Sequence, residues 1–231
     1  PKGFATALIG ENGAGKTTLM NILAGIRLDY KGELTYFGQY HDKDREDNPI
    51  VKEQYAYTGP GTYYLPQWTV GQIRNLNQLL FENFHEDRFE KLCERLAVGG
   101  EGNVNGKKVR SLSDGNKMKL MIASALARDT KLLMMDEPAS PLDPLMRDCL
   151  CSLIREYLAE NEGENSVFFS THNIADMENV TDYAIIMERG RIVEEGFVED
   201  LKEKYVYVKG EPQDTGAAQK VMFSMRESQY G

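Results

Sequence analysis

The chain has 231 residues, 41% of them hydrophobic and 27% charged, with 36 acidic against 27 basic side chains and a formal net charge of −9. This composition excludes a disordered or fibrous chain, and its acidity argues against nucleic acid or an anionic membrane surface as a general partner. Cys93, Cys149 and Cys151 are too few and too irregularly spaced for a disulfide framework or a zinc site. No apolar run approaches the roughly 20 residues needed to cross a bilayer, and none reads as a signal peptide, so a soluble cytoplasmic protein is expected.

In chain order, the apolar run Phe4–Ile9 ends at Gly10 and predicts a buried strand. Leu19, Met20, Ile22 and Leu23 give the next segment a helical face that stops at Gly25. Leu34–Phe37 reads as a strand, His41–Pro49 as a charged loop, and Tyr55–Tyr57 as a strand running into the turn cluster Gly59-Pro60-Gly61. Helical spacing follows at Val70, Ile73, Leu76, Leu80 and Phe84, and again at Phe89, Leu92, Cys93 and Leu96. The polar stretch Gly99–Gly106 separates these from a helix over 116–128.

The continuous apolar runs Leu132–Met135, Val167–Phe169 and Tyr183–Met187 suit strands buried on both faces, as in a parallel sheet. A helix between the first two places Leu145, Cys149, Leu153, Tyr157 and Leu158 on one face, and Glu188–Arg191 reads as a tight turn between strands. The pattern predicts an α/β fold with a mainly parallel core sheet, a helical insertion at about 68–128, a core unit over 1–196 and a short extension over 197–231. That extension holds the alternating run Tyr205–Val208 and a polar turn at Glu211–Gly216.

Gly10-Glu11-Asn12-Gly13-Ala14-Gly15-Lys16-Thr17, followed by Thr18, fits the phosphate-loop pattern between a strand and a helix. Glycines let backbone N–H groups point at phosphate oxygens without a Cβ in the way, and the helix N-terminus adds partial positive charge. Lys16 supplies a full charge and Thr17 a hydroxyl for Mg²⁺. Asp136 and Glu137 end an apolar strand, where ligands bind in open α/β sheets. Asp136 suits Mg²⁺, and Glu137 suits a general base acting on water. His172, ending the run Ser170-Thr171-His172, is placed to bond a phosphate and hold the attacking water. Ser113, in Leu112-Ser113-Asp114-Gly115-Asn116, is by itself explained as a helix N-cap. His41 and His85 lack such context and are expected at the surface.

Together these motifs resemble the ATP-binding cassette (ABC) family over nearly the whole chain, and imply its P-loop NTPase fold. Gly10–Thr17 is similar to its Walker A loop, Leu132–Glu137 to its Walker B strand, Ser113–Asn116 to its signature, Ser140–Asp143 to its D-loop, and His172 to its switch histidine. The resemblance implies ATP and Mg²⁺ as ligands. It also implies a head-to-tail dimer in which Ser113, Gly115, Asn116 and Asp143 of one protomer complete the nucleotide site of the other. Hydrolysis would proceed by electrostatic positioning.

The chain departs from the family pattern in several places. Asp114 and Asn116 replace the usual glycine and glutamine of the signature. Asp114 either faces the partner's phosphate and repels it, or faces solvent and favours the helix N-terminus. The glutamine expected as a Mg²⁺ or water ligand falls by spacing near Gly59–Gly61, where none exists; Gln67 is the nearest candidate, with Gln54 behind it. Only nine residues precede Gly10, so the antiparallel β-subdomain that stacks an aromatic on adenine is expected to be incomplete and adenine binding weakened.

The resemblance further implies a nucleotide-binding subunit, in a homodimer or heterodimer, paired with a separate transmembrane permease of export type and held peripherally at the inner membrane face. Tyr55, Tyr57, Tyr63, Tyr64 and Trp68 are candidates to line a groove for that partner, with core packing as the equal alternative. The rival readings are a non-transport ABC ATPase and an ATP-binding switch with impaired hydrolysis.

Overall fold

The computed structural model describes residues 1–41, 49–61, 63–100 and 102–204. The charged segment 42–48, the run Tyr205–Val208 and the polar turn at 211–216 lie outside them. Five parallel strands and one antiparallel strand form a central sheet: β1 (Ala5–Ile9), β4 (Tyr55–Thr58), β5 (Leu132–Asp136), β6 (Ser166–Thr171), β7 (Tyr183–Glu188) and β8 (Arg191–Phe197), in the order β4-β5-β6-β1-β7-β8. β8 is the antiparallel member, returning from β7 through Arg189 and Gly190, both at positive φ (49° and 79°) as a tight primed turn requires.

The central strands carry apolar side chains on both faces because helices cover both faces of the sheet. Leu8, Met134 and Tyr55 face α1 (Lys16–Leu23), packing with Met20. Ala5, Ala7, Leu133, Met135, Val167 and Phe169 face the opposite side. There they meet the helices that separate the strands: α3 (Val70–Leu80), α4 (Glu86–Arg95) and α5 (Asp114–Leu126) between β4 and β5, and α6 (Pro144–Ala159) between β5 and β6. Each fully buried leucine or isoleucine of this layer, such as Leu120, Ile122 or Ile154, contributes roughly 1.5–3 kcal/mol. A short α2 (Pro49–Glu53) precedes β4 and α7 (Val198–Lys204) follows β8.

Several boundaries differ from the sequence reading for local reasons. The strand expected over Leu34–Phe37 shrinks to β2 (Thr35–Tyr36), because Phe37 and Gly38 take positive φ and turn the chain back into β3 (Tyr40–His41). These two strands form a separate antiparallel ribbon. α3 stops at Leu80: Phe81 is extended, its ring stacked under the Arg128 guanidinium at 3.5 Å. Phe84 is therefore buried beyond the helix rather than on it. Leu145 does not join the buried face of α6. Asp143 caps that helix and Pro144 starts it, leaving Leu145 71% exposed in the first turn, while Leu150, Leu153, Ile154 and Tyr157 fill the interface.

Candidate active site

β1 delivers the chain into the loop Gly10–Gly15, and α1 leaves it. Gly10 N–H donates to Thr171 O of β6 (3.3 Å), and Gly190 N–H donates to Ala14 O (2.8 Å), so the loop is anchored from both flanks. Gly10 has no room for a side chain: a Cβ there would sit 2.4 Å from Met187 O. Gly15 caps α1 at φ 105°, a conformation that favours glycine. Glu11, Asn12, Gly13, Thr17 and Thr18 are exposed along the loop and first helical turn, whereas Ala14 and Lys16 are buried.

Lys16 Nζ donates to Gly10 O (2.7 Å) and Glu11 O (3.3 Å), and pairs with Glu137 Oε1 at 3.2 Å. Glu137 Oε2 meets His172 Nδ1 at 2.8 Å. One carboxylate thus bridges the loop lysine and the strand-end histidine. Glu137 holds this position with φ 51°, outside the regions a glutamate prefers. The loop, Glu137 and His172 follow β1, β5 and β6, which are adjacent and parallel, so their C-terminal ends lie together.

Asp136 is fully buried. Its Oδ1 accepts from Ser170 Oγ, while its Oδ2 has no hydrogen-bond partner among the described residues. A buried carboxylate oxygen without a partner is costly, and a hard cation is the group that oxygen suits. Ser170 also accepts from Glu137 N–H at 3.0 Å, so one hydroxyl orients both acids. The sequence reading gave Ser170 no role. Its signal lies in the pairing of Asp136 with Ser170 across β5 and β6, which no local motif encodes.

Ser113 caps α5, its Oγ accepting from Asn116 N–H (3.3 Å) and Nδ2 (3.1 Å), while Asn116 Oδ1 accepts from Gly99 N–H (2.9 Å). Asp114 is 88% exposed and pairs with Lys117 at 2.9 Å, which holds its carboxyl below the usual range. A Cβ on Gly115 would fall 2.6 Å from Pro141 O, so this turn abuts the segment leading to Asp143. Asp143 Oδ1 accepts from Met146 N–H at 3.1 Å. Among the described residues no hydrogen bond or ion pair joins 113–116 or Asp143 to the loop 10–17.

Gln67 is exposed in the turn before α3 and does not partner Asp136 Oδ2. The aromatics named as groove candidates lie on two sides of the sheet. Tyr55 stacks on Tyr36 (5.8 Å, 9°) and Tyr57 bonds Asn21 on the α1 side, whereas Tyr64 and Trp68 pack against the helical core. His85, at the surface, pairs with Asp129.

A glycine loop between β1 and α1, with acids and a histidine ending neighbouring parallel strands, defines a P-loop nucleotide-binding fold. The family model described as ABC transporter matches residues 1–140, more than half of the chain, and the chain belongs to that family. It is 34% identical over 200 residues to the uncharacterized ABC transporter ATP-binding protein YdbJ of Bacillus subtilis, covering 83% of this chain and 59% of that protein. Human ATP-binding cassette sub-family A member 6 is 28% identical over 208 residues, covering 88% of this chain and 12% of the human protein. The chain therefore spans less than two thirds of these relatives. A solved structure described as the ATP-binding subunit of an ABC transporter superposes with a TM-score of 0.73 at 25% identity, over 88% of this chain and 82% of the other.

Proposed function

We propose that the chain binds ATP on the loop Gly10–Thr18 and hydrolyses it to ADP and phosphate, as the nucleotide-binding subunit that powers a membrane transporter. The observation that carries this is the ladder Lys16–Glu137–His172 beside a buried Asp136 with one unpartnered oxygen. Backbone N–H groups of the loop and the N-terminus of α1 suit phosphate oxygens, and Lys16 neutralises their charge. Glu137 takes the proton of a water whose oxygen attacks the γ-phosphorus as the bond to the ADP oxygen breaks. That proton then passes to the released phosphate. His172 holds Glu137 in line for this step. Mg²⁺, when bound, would be held by Thr17 and Asp136 and would offset charge on the phosphates.

The exposure of Ser113 at the head of α5 and the contact between Gly115 and Pro141 support a composite site. In it Ser113, Gly115, Asn116 and Asp143 serve the nucleotide of a second cassette. Asp114 is engaged with Lys117, which favours its outward reading over the phosphate-repelling one. The partners are accordingly a second nucleotide-binding domain and a transmembrane permease that sets the substrate and holds the chain at the inner membrane face, with an export-type pairing. No described helix is long and apolar enough to cross a membrane. Within the chain, 1–196 forms the nucleotide-binding unit and 68–128 its helical subdomain.

Phosphate release and nucleotide affinity, measured for wild type and Glu137→Gln, test the proposal. The variant is expected to bind nucleotide and lose roughly 10²–10⁴-fold in rate, the range of a general base. Equal rates would remove Glu137 from its role and leave a non-transport or switch function to be considered.

A further inference from the structure

His172 follows β6 and its side chain is 43% exposed, so its position depends on how the backbone beneath it is held. Upstream, Thr171 O accepts from Gly10 N–H at 3.3 Å. Downstream, the chain makes two short helical turns, Ile174–Asp176 and Glu178–Val180, before β7. α6 carries these turns along one stripe. Arg147, Cys151 and Arg155 are spaced by four residues and line one helix face. Arg147 Nη1 donates to Asp176 Oδ1, Cys151 Sγ lies 4.0 Å from the Sδ of fully buried Met177, and Arg155 Nη2 donates to Asn179 O at 3.3 Å.

Arg147 has a second partner. Its Nε donates to Leu142 O at 2.9 Å. Leu142 ends the turn that begins at Glu137, where Ser140 N–H donates to Glu137 O (3.2 Å) and Leu142 N–H to Ala139 O (3.1 Å). The contacts close a ring. From Glu137 it runs through the turn to Leu142, across the Arg147 guanidinium to Asp176, and back along the chain to His172, whose Nδ1 meets Glu137 Oε2 at 2.8 Å. A guanidinium is planar, with its donors in a fixed fork. Arg147 therefore fixes the separation of two arms, one carrying Glu137 and the other His172. Its ion pair with Asp176 is mostly buried, which limits screening by salt.

We infer that Arg147 and Asp176 are positioning residues for hydrolysis: their ion pair, together with the bond from Arg147 to Leu142 O, holds His172 against Glu137. This rests on the reading of Glu137 and His172 as the pair that acts on the attacking water. The test compares wild type, Arg147→Ala, Asp176→Asn, His172→Ala and the double variant Arg147→Ala/His172→Ala. Asp176→Asn keeps the side-chain shape and removes the charge, which guards against misfolding of Arg147→Ala. One readout is the imidazole NMR resonance of His172, assigned by its loss in His172→Ala. The other is phosphate release, with kcat and KM separated. Arg147→Ala and Asp176→Asn are expected to move the His172 resonance and leave in place that of His85, which pairs with Asp129. In Arg147→Ala, kcat falls roughly ten- to hundredfold, the cost of displacing a reacting group by about 1 Å, while KM changes less than about twofold. Asp176→Asn loses less, because an amide oxygen still accepts. In the His172→Ala background Arg147→Ala costs less than about twofold, since the group it positions has gone. A His172 resonance that stays in place, or the same fold-loss with and without His172, overturns the positioning role. A His172→Ala rate equal to wild type overturns the hydrolytic reading of His172 instead, and is told apart because the His172 resonance still moves in Arg147→Ala.

Discussion

Ser170→Ala is the most informative single change away from the nucleotide loop. Its hydroxyl is the donor to Oδ1 of a fully buried carboxylate and the acceptor for Glu137 N–H. Among the described residues the other oxygen of Asp136 already lacks a partner, so alanine leaves that acid with none of its partners there. A hydrogen bond to a charged group contributes roughly 1.5–3 kcal/mol, and an orphaned backbone donor costs about 1–3 kcal/mol more. The terms share one hydroxyl and do not simply add, so a loss of about 3 kcal/mol is expected. At roughly 2–4 °C per kcal/mol for a chain of this size, the midpoint falls by roughly 6–12 °C. Urea unfolding of Ser170→Ala, Asp136→Asn and the double variant measures the share due to the charge. Ser170→Ala costs less in the Asp136→Asn background, because the buried charge has gone. A cost below about 1 kcal/mol, or the same cost in both backgrounds, would refute the bridging role.

Other outcomes follow from the same geometry. Gly10→Ala drives a Cβ to 2.4 Å from Met187 O, a backbone atom that cannot swing aside. It is expected to cost roughly 1–3 kcal/mol without nucleotide, read by thermal unfolding, whereas Gly13→Ala meets nothing within 4 Å and costs only the left-handed conformation, about 1–2 kcal/mol. Arg95 and Glu156 tie α4 to α6 through two hydrogen bonds, and the Arg95 guanidinium holds the Glu156 carboxyl below its usual value near 4.5. A lowered folded-state value gives stability that is present above about 4.5 and lost as pH falls through it. Unfolding curves of wild type and Glu156→Gln therefore differ at neutral pH and converge on acidification below that value; a gap that persists at low pH counts against the pair.

The strands and the loop were legible because their signals are local. Phe4–Ile9 is apolar but for Thr6, Leu132–Met135 and Tyr183–Met187 are apolar without a break, and the glycine spacing before Lys16 is itself the requirement for cradling an anion. What the sequence hid depends on contacts between distant segments. Ser170 acts only because β5 and β6 pair Asp136 with it. Phe84 looked helical by spacing, yet Arg128, 44 residues on, holds Phe81 extended and ends α3 early. Tyr57 and Tyr64 looked like one aromatic cluster, but strand alternation sends Tyr57 toward α1 while the turn after Gly59 carries Tyr64 to the helical core. The strand expected over Leu34–Phe37 was misjudged by length, since the positive φ of Phe37 and Gly38 ends it at Tyr36 and turns the chain into the ribbon with Tyr40.

The exchange at Lys16 makes the Glu137→Gln prediction sharper than loss of rate alone. An ammonium has three donors, and those of Lys16 are directed at Gly10 O, Glu11 O and Glu137 Oε1. A phosphate binding to Lys16 must take over at least one of them. The carbonyls belong to a loop fixed by Thr171 and Gly190, so Glu137 Oε1 is the partner free to yield, which leaves the carboxylate on His172 alone. Glutamine removes the charge that competes with phosphate for Lys16 and the repulsion between that carboxylate and the anion. Glu137→Gln is therefore expected to bind ATP more tightly than wild type while releasing phosphate more slowly. His172→Ala, which removes only the second support, slows release without tightening binding. Titration of both variants at two salt concentrations separates the effects, since the gain in Glu137→Gln is electrostatic and shrinks as salt rises. If Glu137→Gln binds ATP more weakly than wild type, the lysine is not held by that carboxylate when nucleotide arrives, and the ladder from Lys16 to His172 does not govern entry to the site.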